Sequence, residues 1–130
     1  MSEDKSWQTY VDNNLVGSTY ISEAAIYGIK GGLWAKSEHY DHEDDLFEAI
    51  KKGFSDSEFI LATGLRVRGE KYMTLNADDQ EMKFKCGGKG IICAKTVQAI
   101  IITFHTDEVQ PGNANNALGV IADYLRSVGF

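Results

Sequence analysis

The sequence predicts an α/β fold in which helices sandwich a central antiparallel sheet of about six to seven strands. Three observations support this prediction. Apolar residues recur at helical spacing near both ends of the chain, and short segments rich in Ile, Val, Phe, Tyr and Thr fill residues 58–104. Turn residues separate these segments at short intervals. Short sequential strands joined by tight turns favour antiparallel pairing.

Three helices are predicted from apolar stripes and end signals. The first covers residues 6–15, with Ser6 as its N-cap and Gly17 ending it. The second covers residues 44–54, and the third begins at Pro111, which suits a first helical turn, and runs to about residue 128. We expect the first and third helices to pack on one face of the sheet and the second on the other face.

The strands are predicted from β-branched and aromatic residues between turn signals. Gly31 and Gly32 indicate a hairpin between the first two strands. The glycine-rich segment 87–90 favours a hairpin rather than a phosphate loop, because it lacks the GKS or GKT ending and opens no helix. The predicted strands are residues 24–29, 33–35, 59–63, 65–68, 71–76, 81–86, 90–95 and 99–103.

Composition indicates a single domain spanning residues 1–130. The chain has 43% hydrophobic and 25% charged residues, typical of a globular domain, and no apolar run approaches the ~20 residues of a membrane span. We therefore expect a cytosolic protein. A net charge of −6 argues against nucleic-acid binding. His105 has no evident nucleophile partner, so we expect no catalytic activity and no cofactor.

Two features have a structural and a functional interpretation. A cytosolic setting favours free thiols for Cys86 and Cys93, and a hairpin at 87–90 is predicted to place Cys86 opposite Ile91, diagonal to Cys93. The segment 39–45 carries His and acidic residues that suit a metal, but such a run is more often a solvated helix start. That segment comprises His39, Asp41, His42, Glu43, Asp44 and Asp45. We expect no metal site.

Several motifs resemble the profilin family. Residues 6–15, Ser-Trp-Gln-Thr-Tyr-Val-Asp-Asn-Asn-Leu, look like the first helix of profilins, and residues 69–79 resemble the central strand pair of the family. Residues 90–103, 109–112 and 122–130 resemble its last strands and C-terminal helix. The resemblance runs from about Ser6 to Phe130, is weakest over residues 38–58, and is closest to small amoeboid and fungal profilins.

The resemblance implies a groove for proline-rich segments, such as those of formins. A polyproline helix has no internal hydrogen bonds and loses little entropy on docking, so it suits a platform of aromatic rings with polar tips. The residues implied are Trp7, Tyr10, Trp34, Tyr124 and Phe130. Many profilins end in tyrosine where this chain has Phe130, which removes one hydroxyl and keeps the stacking area.

The resemblance also implies binding of monomeric actin and of phosphatidylinositol bisphosphate. The actin positions are Lys71, Tyr72, Lys89, Lys95, Val109, Gln110, Gly112, Asn115 and Asn116. The phosphoinositide positions are Arg66, Arg68, Lys71, Lys83, Lys85 and Lys89. Asn76 and Asn116 stand where the family often has arginine and lysine, which predicts a weaker electrostatic contribution.

A second functional class stays open on sequence alone. A non-actin scaffold or sensor domain with a similar small α/β sandwich would use its sheet for another partner. The two classes differ in one requirement, because only a profilin needs the rings of Trp7, Tyr10, Trp34 and Tyr124 to converge on one exposed patch. Under the profilin interpretation we expect a monomer in the cytoplasm and cytoskeleton.

Overall fold

A computed structural model of the chain describes residues 7–41 and 43–130. Its centre is one antiparallel sheet of seven strands in the order β2-β1-β7-β6-β5-β4-β3. This architecture confirms the predicted fold class. The strands are β1 (Glu23–Gly28), β2 (Leu33–Lys36), β3 (Leu65–Val67), β4 (Glu70–Ala77), β5 (Glu81–Cys86), β6 (Lys89–Lys95) and β7 (Ala99–His105).

Helices cover both faces of the sheet. The N-terminal helical segment is α-helical over residues 7–9, continues as a π-helical turn (Tyr10–Leu15) and closes with a 3-10 turn (Val16–Ser18). The other helices are α1 (Asp44–Ser55), α2 (Ser57–Thr63) and α3 (Pro111–Ser127). Within the described chain, no helix is long and apolar enough to cross a membrane.

Each face of the sheet buries its own apolar core. On one face, Phe47, Ile50 and Phe54 of α1 and Ile60 of α2 pack against the strands. On the other face, the N-terminal helical segment and α3 pack together, with Val11, Leu15, Leu118, Ile121 and Leu125 buried. This is the predicted arrangement, with the first and last helices on one face and the 44–55 helix on the opposite face.

Strand β7 lies at the middle of the sheet and is buried along its whole length. Its apolar run alternates between the two cores, because successive side chains in a strand point to opposite faces. Ile100 and Ile102 enter the core beneath α1, whereas Ile101 enters the core beneath α3. A continuous apolar strand is therefore required here, since neither face meets water.

The sheet curls strongly enough for the turn after β3 to reach β1. Arg68 follows β3 at one edge, yet its guanidinium donates two hydrogen bonds to the Glu23 carboxylate of β1, at 2.7 and 2.9 Å. It also lies 4.9 Å from the centre of the Phe104 ring. This bidentate pair closes the curl over one core, and it raises the pKa of Arg68 through the hydrogen bonds to Glu23.

The strand predicted at residues 59–63 is wrong, because this segment forms helix α2. The Asp56 carboxylate accepts a hydrogen bond from the Phe59 N–H at 3.2 Å, and Gly64 ends the helix at φ 67°. Only Ile60 is buried between exposed neighbours, which is typical of one helical turn rather than of a strand. An Asp cap before the segment and a Gly after it outweigh the β-propensity of Phe and Ile.

Two local predictions also need correction. Gly17 does not end the first helix: the chain continues to Ser18, and Thr19 takes the left-handed conformation at φ 70°. Gly17 instead allows close packing, since a Cβ there would lie 2.8 Å from the Asp12 carbonyl oxygen. The predicted cap Ser6 lies outside the described residues.

The β5–β6 hairpin has a different register from the one predicted. Gly87 and Gly88 alone form its turn, so Cys86 pairs with Lys89 rather than with Ile91. Both cysteines are free thiols. Cys93 is buried, and burial raises the pKa of its thiol.

Candidate functional site

Five aromatic rings form a continuous cluster where the N-terminal helical segment meets α3 and β2. The Trp7 ring lies 4.8 Å from the Trp34 ring and 5.3 Å from the Phe130 ring, measured between centroids. Tyr10 lies 5.9 Å from Trp7 and 6.1 Å from Tyr124. All five residues implied by the sequence resemblance are therefore brought together, from three separate parts of the chain.

The rings differ in exposure, and together they define a groove, which we call the aromatic groove. Tyr124 is 48% exposed and forms one end, while Tyr10, Trp34 and Phe130 are half-buried. Trp7 is only 7% exposed and forms the floor, where it belongs to the core beneath α3. Trp7 therefore has both a packing role and a surface role.

The position of Trp34 depends on Gly28 in the neighbouring strand. A Cβ at Gly28 would lie 2.9 Å from the Trp34 Cζ2 atom and 3.0 Å from its Cε2 atom. Real Cβ atoms do not approach that closely without displacement. A glycine at residue 28 thus leaves the space in which the indole lies against β1 and reaches Trp7.

The tyrosines of the groove offer hydroxyl groups in a partly dry environment. Burial raises the pKa of Tyr10, and its hydrogen bond with Tyr124 raises it further. Both causes favour the neutral phenol. The groove therefore combines flat apolar surface with neutral hydroxyl donors, which suits a ligand that presents rings and unpaired carbonyls.

A second surface lies at the start of α3 and along the outer face of β4 and β5; we call it the strand cleft. It has a volume of about 680 Å³. Lys83 and Lys85 contribute cationic side chains, and Leu75 and Val109 contribute apolar ones. Five predicted actin-binding residues line it: Lys89, Val109, Gln110, Gly112 and Asn115.

The other predicted actin-binding residues lie elsewhere. Asn116 borders an adjacent groove on α3, and Lys95 lies at the opposite end of β6 from Lys89. The Lys71 ammonium donates to the Thr63 carbonyl at 2.5 Å, which holds it against α2. Tyr72 is 4% exposed and packs in the core beneath α1, so it offers a partner almost no surface.

The six predicted phosphoinositide residues do not form one free cationic patch. Arg68 is paired with Glu23, and Lys89 lies 2.5 Å from the Glu70 carboxylate. Lys83 and Lys85 line the strand cleft. Arg66 and Lys71 lie opposite each other in the register of β3 and β4, away from that cleft lining. Glu23 and Glu70 therefore neutralise part of the positive charge of this region.

The acidic segment shows no metal site in the part of the chain that the structure describes. Among residues 7–41 and 43–130, no three His, Cys, Asp or Glu side chains come close enough to hold a metal ion. His42, one of the candidate ligands, lies outside that part.

The sequence analysis did not name the exposed apolar residues of β4, of which Leu75 lines the strand cleft. Met73 and Leu75 are 65% and 57% exposed on the outer face of β4, while Tyr72 between β3 and β5 faces the core. The sequence carries a signal for this surface, because β4 has large apolar residues at both odd and even positions. A strand face in contact with water normally carries polar residues instead. Both faces of β4 therefore have apolar surface.

Comparisons with known proteins identify relatives along nearly the whole chain. The profilin family model matches residues 5–130. Profilin-3 of Caenorhabditis elegans is 39% identical over 96% of this chain and 99% of its own length. The crystal structure of Acanthamoeba castellanii profilin II is 40% identical, with a TM-score of 0.90 over 95% of this chain and 99% of that one.

A more distant structure shows the same fold. Mouse profilin IIa, solved in complex with a double repeat from the FH1 domain of mDia1, is 22% identical, with a TM-score of 0.74 over 95% of this chain and 99% of the mouse chain. The family match and the two closer relatives confirm the resemblance inferred from the sequence motifs. The chain belongs to the profilin family.

Proposed function

We propose that this protein binds monomeric actin and proline-rich segments and thereby regulates actin polymerisation. The observation that carries the proposal is the aromatic groove, in which five rings from three parts of the chain form one connected cluster around Trp7. Family membership favours this function over the alternative of an unrelated scaffold or sensor domain.

The groove has the chemistry that a polyproline helix needs. Proline rings pack flat against aromatic faces, and the carbonyls of the peptide have no internal partners, so they accept hydrogen bonds from hydroxyl or indole donors. Tyr10 and Tyr124 supply hydroxyls at one end, and Trp34 supplies an indole at the other. Proline-rich segments of actin assembly factors such as formins are the partners proposed for this groove.

The strand cleft is the surface proposed for actin. Lys83, Lys85 and Lys89 surround apolar side chains of β4 and the start of α3. A centre of apolar surface with a charged rim is the usual anatomy of a protein interface. Pro111 lines the cleft and Tyr124 lies in the groove, so the two sites are separated by most of α3, roughly 20 Å at ~1.5 Å per residue.

This separation allows one molecule to hold both partners. A protein that binds actin through the strand cleft and a proline-rich factor through the aromatic groove would deliver monomers to that factor. We propose that it does so as a monomer in the cytoplasm and cytoskeleton, as a binding protein without catalytic activity.

Phosphoinositide binding is a second candidate, favoured by one observation. Lys83 and Lys85 line the same cleft as Lys89, so an anionic headgroup bound there would compete with actin. The ion pairs of Arg68 and Lys89 reduce the charge available, and we therefore propose weak binding. Vesicles containing phosphatidylinositol bisphosphate should release the protein from actin, and a lack of competition would argue against this site.

The groove is tested by titrating the protein with a proline decamer and measuring the change in tryptophan fluorescence. Tyr124→Ala should weaken binding by about tenfold, because an exposed ring of such an interface contributes roughly 1–2 kcal/mol. Tyr20→Ala is the matched control, since Tyr20 is also an exposed tyrosine but lies outside the ring cluster. Equal affinities for the wild type and Tyr124→Ala would contradict the groove assignment.

The test of the cleft is a charge reversal measured by actin assembly. Lys85→Glu should reduce monomer sequestration several-fold, because it reverses a charge at the rim of the proposed interface. Lys51→Glu makes the same change in α1, on the opposite face of the sheet. If both variants behave like the wild type, the actin surface lies elsewhere.

A further inference from the structure

The turn between β6 and β7 holds the main chain around Phe130. The Thr96 hydroxyl donates to the main-chain oxygen of Phe130 at 2.6 Å, and the Gln98 N–H donates to the same oxygen. The Gln98 side-chain amide donates to the Gly129 oxygen at 2.9 Å. Three donors from one short turn thus converge on the main-chain oxygens of two successive residues.

The same turn is joined to the hairpin that carries Trp34. The Ile29 N–H donates to the Gln98 oxygen at 3.0 Å, and Ile29 directly follows Gly28, against which the Trp34 indole lies. Gln98 therefore joins the hairpin that carries Trp34 to the main chain around Phe130. Its oxygen binds the β1–β2 hairpin, and its two nitrogens bind the residues around Phe130.

The geometry of Thr96 leaves its hydroxyl little freedom. Thr96 is buried, and its oxygen accepts a hydrogen bond from the Ala99 N–H at 3.2 Å. Its proton has the Phe130 oxygen at 2.6 Å and the more distant Ala99 oxygen at 3.3 Å as acceptors. Removing this hydroxyl leaves a partly buried main-chain oxygen with one donor fewer, which costs free energy where water has limited access.

Helix α3 by itself holds Phe130 less firmly. The Phe130 N–H donates to the Leu125 oxygen at 2.8 Å, and the intervening Gly129 takes a left-handed conformation at φ 87°. The ring of Phe130 is thus attached to α3 through a glycine joint. Contacts from outside the helix are needed to keep its edge against Trp7.

We propose that Thr96 and Gln98 are positioning residues of the aromatic groove, which they serve by holding Phe130 in place while belonging to none of its ring contacts. This inference rests on the proposed binding of proline-rich segments. A ligand that binds through flat ring contacts gains little surplus energy, so any ordering of Phe130 during binding is subtracted from its affinity. The turn removes that cost by fixing the ring before the ligand arrives.

The central variant is Thr96→Val, which keeps the shape of the side chain and removes the donor. We expect it to bind a proline decamer about 3- to 10-fold more weakly, the effect of one hydrogen bond of roughly 0.5–1.5 kcal/mol. Thr96→Ser restores the hydroxyl and should bind nearly as the wild type does. Gln98→Leu tests the same effect at an exposed position, and it serves if Thr96→Val fails to fold.

A readout that does not use the ligand separates this inference from the proposed function. In the free protein, nuclear Overhauser contacts between the Phe130 and Trp7 ring protons should weaken in Thr96→Val and in Gln98→Leu, and persist in Thr96→Ser. The positioning role would be overturned if Thr96→Val and Gln98→Leu both kept the ring contacts of the wild type, or if both kept its decamer affinity. If the wild type fails to bind the decamer, the proposed function fails, and the ring contacts still decide whether the turn holds Phe130.

Discussion

The aromatic groove and the strand cleft are built in opposite ways. In the groove, the side chains that would meet a ligand already touch one another, and they are held by close packing around Trp7. In the region of the cleft, Arg68 and Lys89 are paired with Glu23 and Glu70, and Lys83 and Lys85 of β5 remain as cationic lining. One surface is organised before binding, and the other must exchange internal ion pairs or water for its partner.

This difference predicts where substitutions have large effects. Aromatic anchors in contact carry most of the energy of such interfaces, while exposed ion pairs contribute about 0–1 kcal/mol each. We therefore expect changes in the groove to affect binding and folding together. Changes around the cleft should mainly alter salt dependence and competition with anions.

The largest effect is expected from Trp7→Ala. Because Trp7 is buried in the core beneath α3, its removal should lower the free energy of unfolding by about 3–5 kcal/mol as well as abolish retention on polyproline. Urea denaturation and polyproline chromatography measure the two effects. Loss of binding without any loss of stability would show that Trp7 is only a surface ring, as its helix position alone would predict.

A smaller effect is expected from Glu23→Gln, which breaks the bidentate pair across the curled sheet. We expect a loss of about 1 kcal/mol in the free energy of unfolding, since the pair is partly exposed, together with stronger binding to anionic vesicles through the released Arg68. Glu58→Gln is the matched control, because it also removes one negative charge, at an exposed position. Unchanged vesicle binding would mean that the ion pair does not limit this surface.

Asn76→Arg should sharpen the contrast by adding charge to the strand face. Asn76 is exposed on β4 and pairs with Lys83 across the bulge, so the new cation lies beside an existing one. We expect actin affinity to increase by a factor of about 2–5 at low salt, from roughly 0.5–1 kcal/mol of rim attraction, and this gain to vanish at high salt. Proline-decamer affinity should stay constant, and a change there would couple the two surfaces.

The smallest effect is expected from pH on the groove. The pKa of Tyr10 is raised above 10.0 by burial, so its neutral phenol persists through pH 6–9, and proline-decamer affinity should be flat there. Because the folded state holds this proton more tightly than the unfolded chain does, the contribution of Tyr10 to stability is lost only as pH rises past 10. Fluorescence titrations at several pH values check this, and a midpoint near neutrality would point to another group.

Periodicity alone predicts most elements of this fold. The continuous apolar run of β7 and the apolar stripe of α3 are local patterns, and each is stabilised by burial that the pattern itself implies. The wrong prediction at α2 has an equally local cause, because the cap at Asp56 and the terminating Gly64 outweigh the β-propensity of Phe59 and Ile60. The two end signals, Asp56 and Gly64, predict a helix over residues 57–63 in place of the strand.

The candidate groove was predicted residue by residue, but only through the resemblance to profilins. Nothing in the spacing of Trp7, Trp34 and Phe130 indicates that their rings meet. Their contact depends on the side-by-side packing of two helices distant in the chain, on the space left by Gly28, and on the turn at Thr96 and Gln98. These are relations between segments, which a single sequence does not display.

The type of nearly every element, and the identity of the aromatic side chains available for a groove, follow from the sequence alone. Which of those side chains converge depends on the tertiary structure. So does the ion pair between Arg68 and Glu23, which lie 45 residues apart in the chain. The physical reason is that propensity and burial act on neighbouring residues, whereas ring contacts and ion pairs depend on how the sheet curls and brings remote segments together.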